Sequence, residues 1–292
     1  MAQLLGVLEQ GFIYAILALG VYITFKILDC PDMSVDSTFP LGAAVTALLL
    51  SKGVHPLLTL PAAVLAGALA GTVTGIIHVK FKVGGLLSGI IVMTGLYSVN
   101  LHIAGRANVQ LFSFNTLFKN PAVSALPMDV QLYIPVILLA VSALVVKFLL
   151  DAYLSTKSGF LLKATGDNPA LVTALAKDCG KVKILGLAMA NSLVALSGAI
   201  MCQYQRYFDV SMGTGTLVLA VASVIVGTQL LRGLRFLRAT TAVLIGSILY
   251  KGCVALALSL GLSPFDLKLV TAALLLIIIV AGGHQKKVKR HA

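Results

Sequence analysis

The chain has 292 residues, of which 59% are hydrophobic and only 11% are charged, and its mean hydropathy is +1.00. A soluble domain of this length does not need so much apolar surface, so the composition indicates an integral membrane protein. The formal net charge is +12. Because Lys and Arg lie in short connectors between apolar runs, without patches of interleaved aromatic side chains, a nucleic-acid partner is excluded.

Apolar runs long enough to cross about 30 Å of hydrocarbon define the predicted elements. Nine candidates occur in chain order, at 10–28, 39–50, 57–77, 86–103, 132–150, 184–201, 217–231, 239–258 and 267–282. The second is too short for an ordinary span, and the seventh is marginal. The sequence therefore predicts an all-α polytopic membrane protein with about nine transmembrane segments, two of them short or broken, in a single domain over residues 1–292.

The placement of basic residues predicts the orientation of these segments. If all nine runs cross and the basic C-terminal tail is cytoplasmic, most Lys and Arg lie inside. Those left outside are Lys52, Arg106, Lys119 and Arg206. The N-terminus is then outside. Because no Lys or Arg precedes Lys26, no cleaved signal peptide is expected.

Two stretches carry the same pattern of polar residues within otherwise apolar sequence, and we call them the first and second breaks. Each break directly precedes one of the two short segments. Their polar side chains are Asp32, Ser34, Asp36 and Thr38 in the first stretch, and Asp209, Ser211 and Thr214 in the second. Interrupted segments at matching positions of two halves are the best sequence indication of a transporter site. The second and seventh segments are an odd number of crossings apart, which predicts inverted repeats if the run 39–50 crosses the bilayer.

The polar side chains of these two breaks have two interpretations. In one, they line a substrate path, because ionisable residues at membrane depth usually face a cavity or a partner. In the other, they cap the helices that follow. The two are compatible, because a cap at a broken helix lies at the edge of a cavity.

Polar and small residues inside the apolar runs give further expectations. Lys251 lies within the eighth run, so it is expected either to pair with an acid, with Asp209 and Asp266 as candidates, or to line a water-filled path, and it is assigned to the substrate path. Asn191, in the sixth run, is expected to form an interhelical hydrogen bond. Glycines recur at four-residue spacing in the third run and predict close helix packing, within the subunit or between subunits. These are Gly67, Gly71 and Gly75.

No pattern in the chain indicates catalysis or a cofactor. The sequence has no P-loop, no Ser/His/Asp arrangement and no zinc-ligand spacing, and its four cysteines are scattered. We therefore expect no enzyme activity, no metal and no organic cofactor. Energy for any transport must come from a partner.

The longest cytoplasmic connector, about 151–182, contains a helix signal. Asn168 suits an N-cap and Pro169 suits a first helical turn, so a short helix is predicted over 169–178, ended by Gly180. Leu171 and Leu175 lie on its apolar face. Because lysines flank this helix it cannot enter the bilayer, so it docks either on a partner or on its own bundle.

The connector also carries a family resemblance. The run Gly166-Asp167-Asn168-Pro169, after Gly159-Phe-Leu-Leu-Lys163-Ala-Thr, resembles the cytoplasmic loop of ABC importer permeases of the branched-chain amino acid and ribose type. The stretch 32–35 is similar to the polar break after an early span in those permeases. Within the family, segments 31–42, 93–100 and 248–251 are most similar to a branch associated with tryptophan or tyrosine uptake. The resemblance extends over nearly the whole chain.

The resemblance implies a homodimeric permease subunit in a bacterial cytoplasmic (inner) membrane, in contact with lipid. It also implies an ABC ATPase subunit below and an extracytoplasmic substrate-binding protein outside, with a small solute such as an amino acid as cargo. The residues it implies for ATPase coupling are Lys163, Gly166, Asp167, Asn168, Pro169, Leu171 and Leu175. The alternative is a stand-alone secondary transporter, which inverted repeats would also suit.

Overall fold

A computed structural model describes residues 2–174, 178–231 and 237–261, together with positions 269, 271–273 and 276. The first half contains helices α1 (Ala2–Tyr22), α2 (Val35–Ser51), α3 (Pro56–Lys80) and α4 (Gly85–Ala104). A π-helical turn, Ile23–Ile27, extends α1. The remaining elements are β1 (Asn108–Gln110), α5 (Pro121–Ser124), α6 (Met128–Leu154), α7 (Lys157–Asp167), α8 (Pro169–Ala174), α9 (Cys179–Gln205), β2 (Tyr207–Asp209), α10 (Thr216–Leu230) and α11 (Ala239–Ser259).

Six helices in the described part of the chain are long and apolar enough to cross a membrane. They are Gln3–Ile27, Pro56–Lys80, Gly85–Ala104, Val130–Leu154, Cys179–Gln205 and Ala239–Ser259. The two segments expected to be short are the shorter apolar helices α2 and α10, with 17 and 15 residues. At 1.5 Å per residue they measure about 25 Å and about 22 Å. The ninth predicted run, 267–282, lies largely outside the described residues.

The core forms around α1 and α9, the two most buried of the long helices. Apolar side chains of α1 such as Ile13, Ile16 and Leu17 are fully buried. Two serine hydroxyls from neighbouring helices donate to backbone carbonyls of α1: Ser197 Oγ to Ile13 O at 2.8 Å, and Ser247 Oγ to Gly11 O at 2.6 Å. Helices α9 and α11 therefore contact α1 closely.

The glycine strip of α3 packs within the subunit, against α9. A Cβ at Gly67 would lie 2.4 Å from the Asn191 carbonyl oxygen, and one at Gly71 would lie 2.2 Å from that of Leu187. Any side chain larger than hydrogen would separate the two helices. The strip thus serves close helix packing within the subunit, which is the first of the two predicted uses.

The short helix α2 is enclosed by other helices over most of its length. Its Gly42 approaches the Ala195 carbonyl of α9, and Gly198 of α9 approaches the carbonyl of Phe39, so the two backbones are in direct contact. On the α4 side, Asn100 Nδ2 donates to Ser37 O at 2.9 Å. Such contacts hold α2 in place within the bundle although it has few residues.

The all-α prediction missed a small sheet. Strands β1 and β2 pair antiparallel, with Asn108 opposite Asp209 and Gln110 opposite Tyr207. Leu111 and Phe208 then pack on α2 in a small apolar cluster. With three residues each, these strands are too short to show a period-2 pattern in sequence.

The connector between α6 and α9 differs from its prediction. Helix α7 was not expected, although Thr156 caps it by accepting from the Gly159 backbone N–H. The predicted helix 169–178 is wrong at its end, because Asp178 lies outside it and caps α9. Gly180 therefore lies in the first turn of α9 and ends no helix. Leu175 lies outside the described residues.

Candidate functional site

The first polar break forms a buried hydrogen-bond cluster beneath α2. Asp32 is 1% exposed, and its Oδ1 accepts from the Ser34 backbone N–H at 2.8 Å. Its Oδ2 accepts from Ser34 Oγ at 2.8 Å and from Asn191 Nδ2 at 2.7 Å. Asn191 lies about 18 Å along α9 from Cys179, so the cluster is deep in the bundle. The expected interhelical role of Asn191 is confirmed.

The second break repeats this local geometry. Asp209 Oδ1 accepts from the Ser211 backbone N–H at 2.7 Å and also from Ser211 Oγ. Asn108 Nδ2 donates to Asp209 Oδ2 at 3.3 Å, across the small sheet. The Ser211 hydroxyl, and to a lesser degree Asn108, lower the pKa of the Asp209 carboxyl, whose partial burial opposes them. Unlike Asp32 this carboxylate is only half-buried, and Ser211 and Thr214 are exposed.

The two breaks meet at Asp36. Its carboxylate accepts from the backbone N–H groups of Gly215 at 3.0 Å and Leu217 at 2.8 Å, and from Thr216 Oγ1 at 3.1 Å. A residue in the first turn of α2 therefore caps α10, where free N–H groups and the helix dipole favour an anion. Gly213 lies against the Asp36 carbonyl oxygen, so closely that a Cβ there would overlap it.

Thr38 is fully buried and its hydroxyl donates to Ser34 O at 3.0 Å, within its own helix. Asp32, Ser34 and Thr38 thus form the buried side of the first break. Asp36 joins that side to the second break, which is the more exposed of the two. The expectation that these side chains cap the helices that follow them is wrong as stated, because the N-caps of α2 and α10 make no side-chain cap bond and the carboxylate that caps α10 is Asp36 of α2.

Lys251 has different neighbours from those expected. Its Nζ lies 3.3 Å from Gln10 Oε1 and 3.9 Å from the centre of the Tyr14 ring. Asp209 is bound elsewhere, so its predicted pairing with Lys251 is wrong. Asp266 lies outside the described residues. Among the described residues no acid forms an ion pair with Lys251.

The residues expected to couple the permease to the ATPase fall into two groups: some hold α7 in place, and others lie on an exposed surface. A Cβ at Gly166 would lie 1.8 Å from the Ile27 carbonyl oxygen, so Gly166 lets α7 rest on the end of α1. Lys163 Nζ donates to Leu154 O at 3.1 Å, which ties α7 to α6. The turn between α7 and α8 is exposed and consists of Asp167, Asn168 and Pro169. Leu171 belongs to α8.

Two features at the end of α6 and in α7 were missed by sequence reasoning. Phe160 on α7 is 61% exposed, beside Lys163, whose Nζ lies 5.3 Å from its ring centre. Asp151, at the end of α6, accepts from Thr240 Oγ1 at 2.5 Å and pairs with two cations. These are Lys147 at 3.0 Å and Arg238 at 3.2 Å. Only the Lys147–Asp151 spacing of four residues could have signalled this cluster.

The fold and these sites together define a multi-pass membrane protein with polar helix breaks in its interior. Residues 3–280 match the family described as the permease component of branched-chain amino acid transport systems, and the chain belongs to this family. It is therefore the permease component of an ABC-type transport system and not itself an enzyme. Systems of this family work with an ATPase and a substrate-binding protein.

Three relatives show the breadth of this similarity. A tyrosine transport system permease protein of Clostridioides difficile is 45% identical over 93% of this chain and 88% of its own length. The ribose import permease protein RbsC of Haemophilus influenzae is 29% identical over 79% of this chain and 70% of its own. A probable branched-chain amino acid transport permease protein, LivH, of Methanocaldococcus jannaschii is 24% identical over 78% of this chain and 75% of its own length. No solved structure matches the chain.

Proposed function

We propose that this permease subunit imports an amino acid across a bacterial cytoplasmic (inner) membrane, with tyrosine as the first substrate to test. Two copies would form the path, with a substrate-binding protein outside and two ABC ATPase subunits on the cytoplasmic side. Tyrosine is suggested by the name of the 45% identical relative, which covers nearly the whole chain. The observation that carries an importer role is the meeting of the two breaks at Asp36.

The path runs along the two breaks. Residues 1–292 form one transmembrane domain in this proposal, and the path includes the groove that holds Lys251. The side chains assigned to it are Asp32, Ser34, Asp36, Thr38, Asp209, Ser211, Thr214 and Lys251. Asp36 supports this assignment most directly, because it connects the buried break to the exposed one. A movement of α2 relative to α10 would therefore change both sides of the path together.

The ATPase contact is the turn between α7 and α8. Asp167, Asn168 and Pro169 are exposed there, while Gly166 and Lys163 fix α7 to α1 and α6. In this proposal Leu171 and Leu175 complete the contact, and Phe160 adds an exposed apolar side chain beside it. A displacement of this turn would be transmitted directly to α1, because α7 packs on the π-helical end of that helix.

Nine crossings and two inverted halves are part of this proposal, and the arrangement of helices supports the inverted halves. Helix α9 packs on α2 and α3, and correspondingly α1 packs on α10 and α11. In this proposal α1 therefore corresponds to α9, α2 to α10 and α3 to α11. The repeated Asp-x-Ser turns before α2 and α10 fit the same correspondence.

Coupling between ATP hydrolysis and uptake tests the proposal. The permease would be co-expressed with the ATPase encoded beside it and reconstituted with the matching binding protein and radiolabelled L-tyrosine. We expect co-purification with the ATPase and ATP-dependent uptake. Asp167→Lys should reduce uptake at least about tenfold while ATPase turnover persists. A tenfold loss corresponds to about 1.4 kcal/mol, which is the cost expected when a like-charge or misplaced contact forms at a protein interface.

Lys52→Glu is the matched control, because it reverses an exposed charge at the opposite end of α2, away from the cytoplasmic turn. It should leave the coupling between hydrolysis and uptake unchanged. Uptake by the purified chain alone, driven by an ion gradient, would instead support the secondary-transporter alternative and refute the importer.

A further inference from the structure

A groove between α1 and α11 contains a cation that no described acid neutralises. The groove has a volume of about 340 Å³ and is lined by Gly6, Val7, Gln10, Lys251, Ala255 and Leu258 among others. Lys251 lies about 12 Å along α11 from its end at Ser259. The ammonium is therefore well inside the bundle and not at the level of the headgroups.

The neighbours of Lys251 hold it in place without cancelling its charge. Gln10 offers a neutral amide oxygen at 3.3 Å, and Tyr14 offers the face of its ring at 3.9 Å. Lys147 on α6 provides the contrast, because its ammonium lies 3.0 Å from the Asp151 carboxylate and is largely buried. A charge at this depth is costly unless it meets an opposite charge or water, so Lys251 favours an anionic group in the groove.

The size and lining of the groove fit a small amphipathic molecule. Its volume of about 340 Å³ lies at the lower end of the range of about 300–1,000 Å³ that is typical of small-molecule sites. Val7, Val254 and Leu258 provide apolar walls, and Gly6 leaves the α1 side open, because a Cβ added there would meet nothing within 4 Å. The polar groups in the lining are the Lys251 ammonium, the amides of Gln3 and Gln10 and the Ser259 hydroxyl, and a few polar groups among apolar walls are the pattern of a site that orients a small ligand.

Lys251 is also linked to α2 through Tyr14. The Lys251 ammonium contacts the Tyr14 ring, and this ring stacks on the Phe39 ring with their centres 6.2 Å apart and their planes at 8°. Phe39 belongs to α2, one turn after Asp36. An anion bound to Lys251 would therefore act on α2 through a single aromatic ring.

We propose that this groove binds the carboxylate of the transported amino acid. Lys251 is the ion-pair partner of that carboxylate, and Gln10 orients the Lys251 ammonium. The inference rests on the proposed import function and specifies the chemistry of its path. The apolar walls take the side chain of the solute. Binding there biases the position of α2 through Tyr14 and Phe39.

Direct binding to the purified permease–ATPase complex tests this assignment. The complex would be placed in nanodiscs of neutral phosphatidylcholine, and binding of radiolabelled L-tyrosine would be measured with L-tyrosinamide, which lacks the carboxylate, as competitor. We expect Lys251→Met to weaken tyrosine binding about tenfold or more, as for loss of a charge-assisted hydrogen bond, and Lys251→Arg to retain more of it. L-Tyrosinamide should compete poorly with wild-type protein.

Lys52→Met controls for the general loss of a positive charge and should bind tyrosine normally. Wild-type affinity in Lys251→Met would overturn the proposal, and so would absence of tyrosine binding by the wild-type complex. An equal loss in Asp266→Asn would show that Lys251 is neutralised within the protein, which also overturns it. ATP-driven uptake by the wild-type complex is scored separately, so the import function can stand while this site fails.

Discussion

At the scale of single residues, Asp32 is a buried carboxylate held by three hydrogen bonds. Its carboxylate is 1% exposed, and its partners are the backbone and hydroxyl of Ser34 and the amide of Asn191. All three are neutral donors, and each satisfies a lone pair that water would otherwise occupy. A buried polar group is stable only while such bonds persist, so Asn191 positions the first break.

Replacing Asn191 by Leu tests this dependence. The change keeps a side chain branched at Cγ, although a larger one, and removes the donor at 2.7 Å from Asp32 Oδ2. Leaving a buried acceptor without that bond should cost about 1–3 kcal/mol of unfolding free energy, and should lower Tm in detergent. Ser192→Ala is the control, because Ser192 donates only to Met189 O in its own helix. Equal Tm values for the two variants would contradict the role given to Asn191.

Sequence reasoning could predict part of this site but not its connections. The repeated Asp-x-Ser spacing marks both local turns correctly, because a side chain bonding two residues ahead is a local interaction. The cap that Asp36 provides joins residues about 180 positions apart, so no spacing reveals it. The same applies to Lys251, whose ring contact with Tyr14 depends on how α1 and α11 pack.

At the scale of elements, the start of α10 is held by another helix. Gly215, at its N-cap, has a positive φ of 86° and no side chain to act as a cap. The acceptor is supplied by Asp36 of α2, which reaches the N–H groups of Gly215 and Leu217. Because the cap belongs to α2, the first turn of α10 is stable only while the two helices stay together.

Hydrogen exchange measures this link. In Asp36→Ala, the loss of the cap should cost the first turn of α10 about 0.5–2 kcal/mol, and so should speed amide exchange in peptides covering residues 213–220. Asp178→Ala is the matched control, since Asp178 caps α9 from its own N-terminus. Its effect should be confined to residues 179–183. Unchanged exchange at 213–220 in Asp36→Ala would show that α10 does not depend on α2.

The connector between α6 and α9 shows why the bounds of elements are hard to predict. The Asn168-Pro169 pair is a strong helix-start signal, and α8 does begin at Pro169. Helix α7 was missed because its 11 residues mix glycine, lysine and apolar side chains without a clear stripe. Its position depends instead on the contact between Gly166 and the Ile27 carbonyl, which only the folded chain contains.

At the scale of the whole molecule, the paired contacts of α1 and α9 interleave the two halves. Each of these helices packs on the short helix and the next long helix of the opposite half: α9 on α2 and α3, and α1 on α10 and α11. Neither half could then bury its apolar surface alone, which supports the single-domain proposal. Hydropathy alone locates the long helices and also marks α2 and α10 as short apolar runs, but the correspondence between these two is recognisable only through the polar residues before them.

Labelling of single cysteines tests the orientation that this proposal requires. The native cysteines Cys30, Cys179, Cys202 and Cys253 would first be replaced by Ser or Ala. Cysteines would then be introduced one at a time at Asp29, Lys52, Asp167 and Leu237, which are all exposed. In intact cells, a membrane-impermeant maleimide should label only position 52, because α2 crosses from the cytoplasmic side to the outside and most basic residues stay inside.

Positions 29, 167 and 237 should react only after the membrane is opened, and together they serve as the internal control. If position 29 is labelled in intact cells as well as position 52, both ends of α2 lie outside, so α2 does not cross and the halves cannot be inverted copies. Labelling at 52 from outside, with 29, 167 and 237 protected, shows that α2 runs outward, and because α9 crosses outward after position 167, α10 must run inward to reach position 237. Asp36 would then connect two antiparallel short helices, so that one carboxylate joins the two inverted halves at the path.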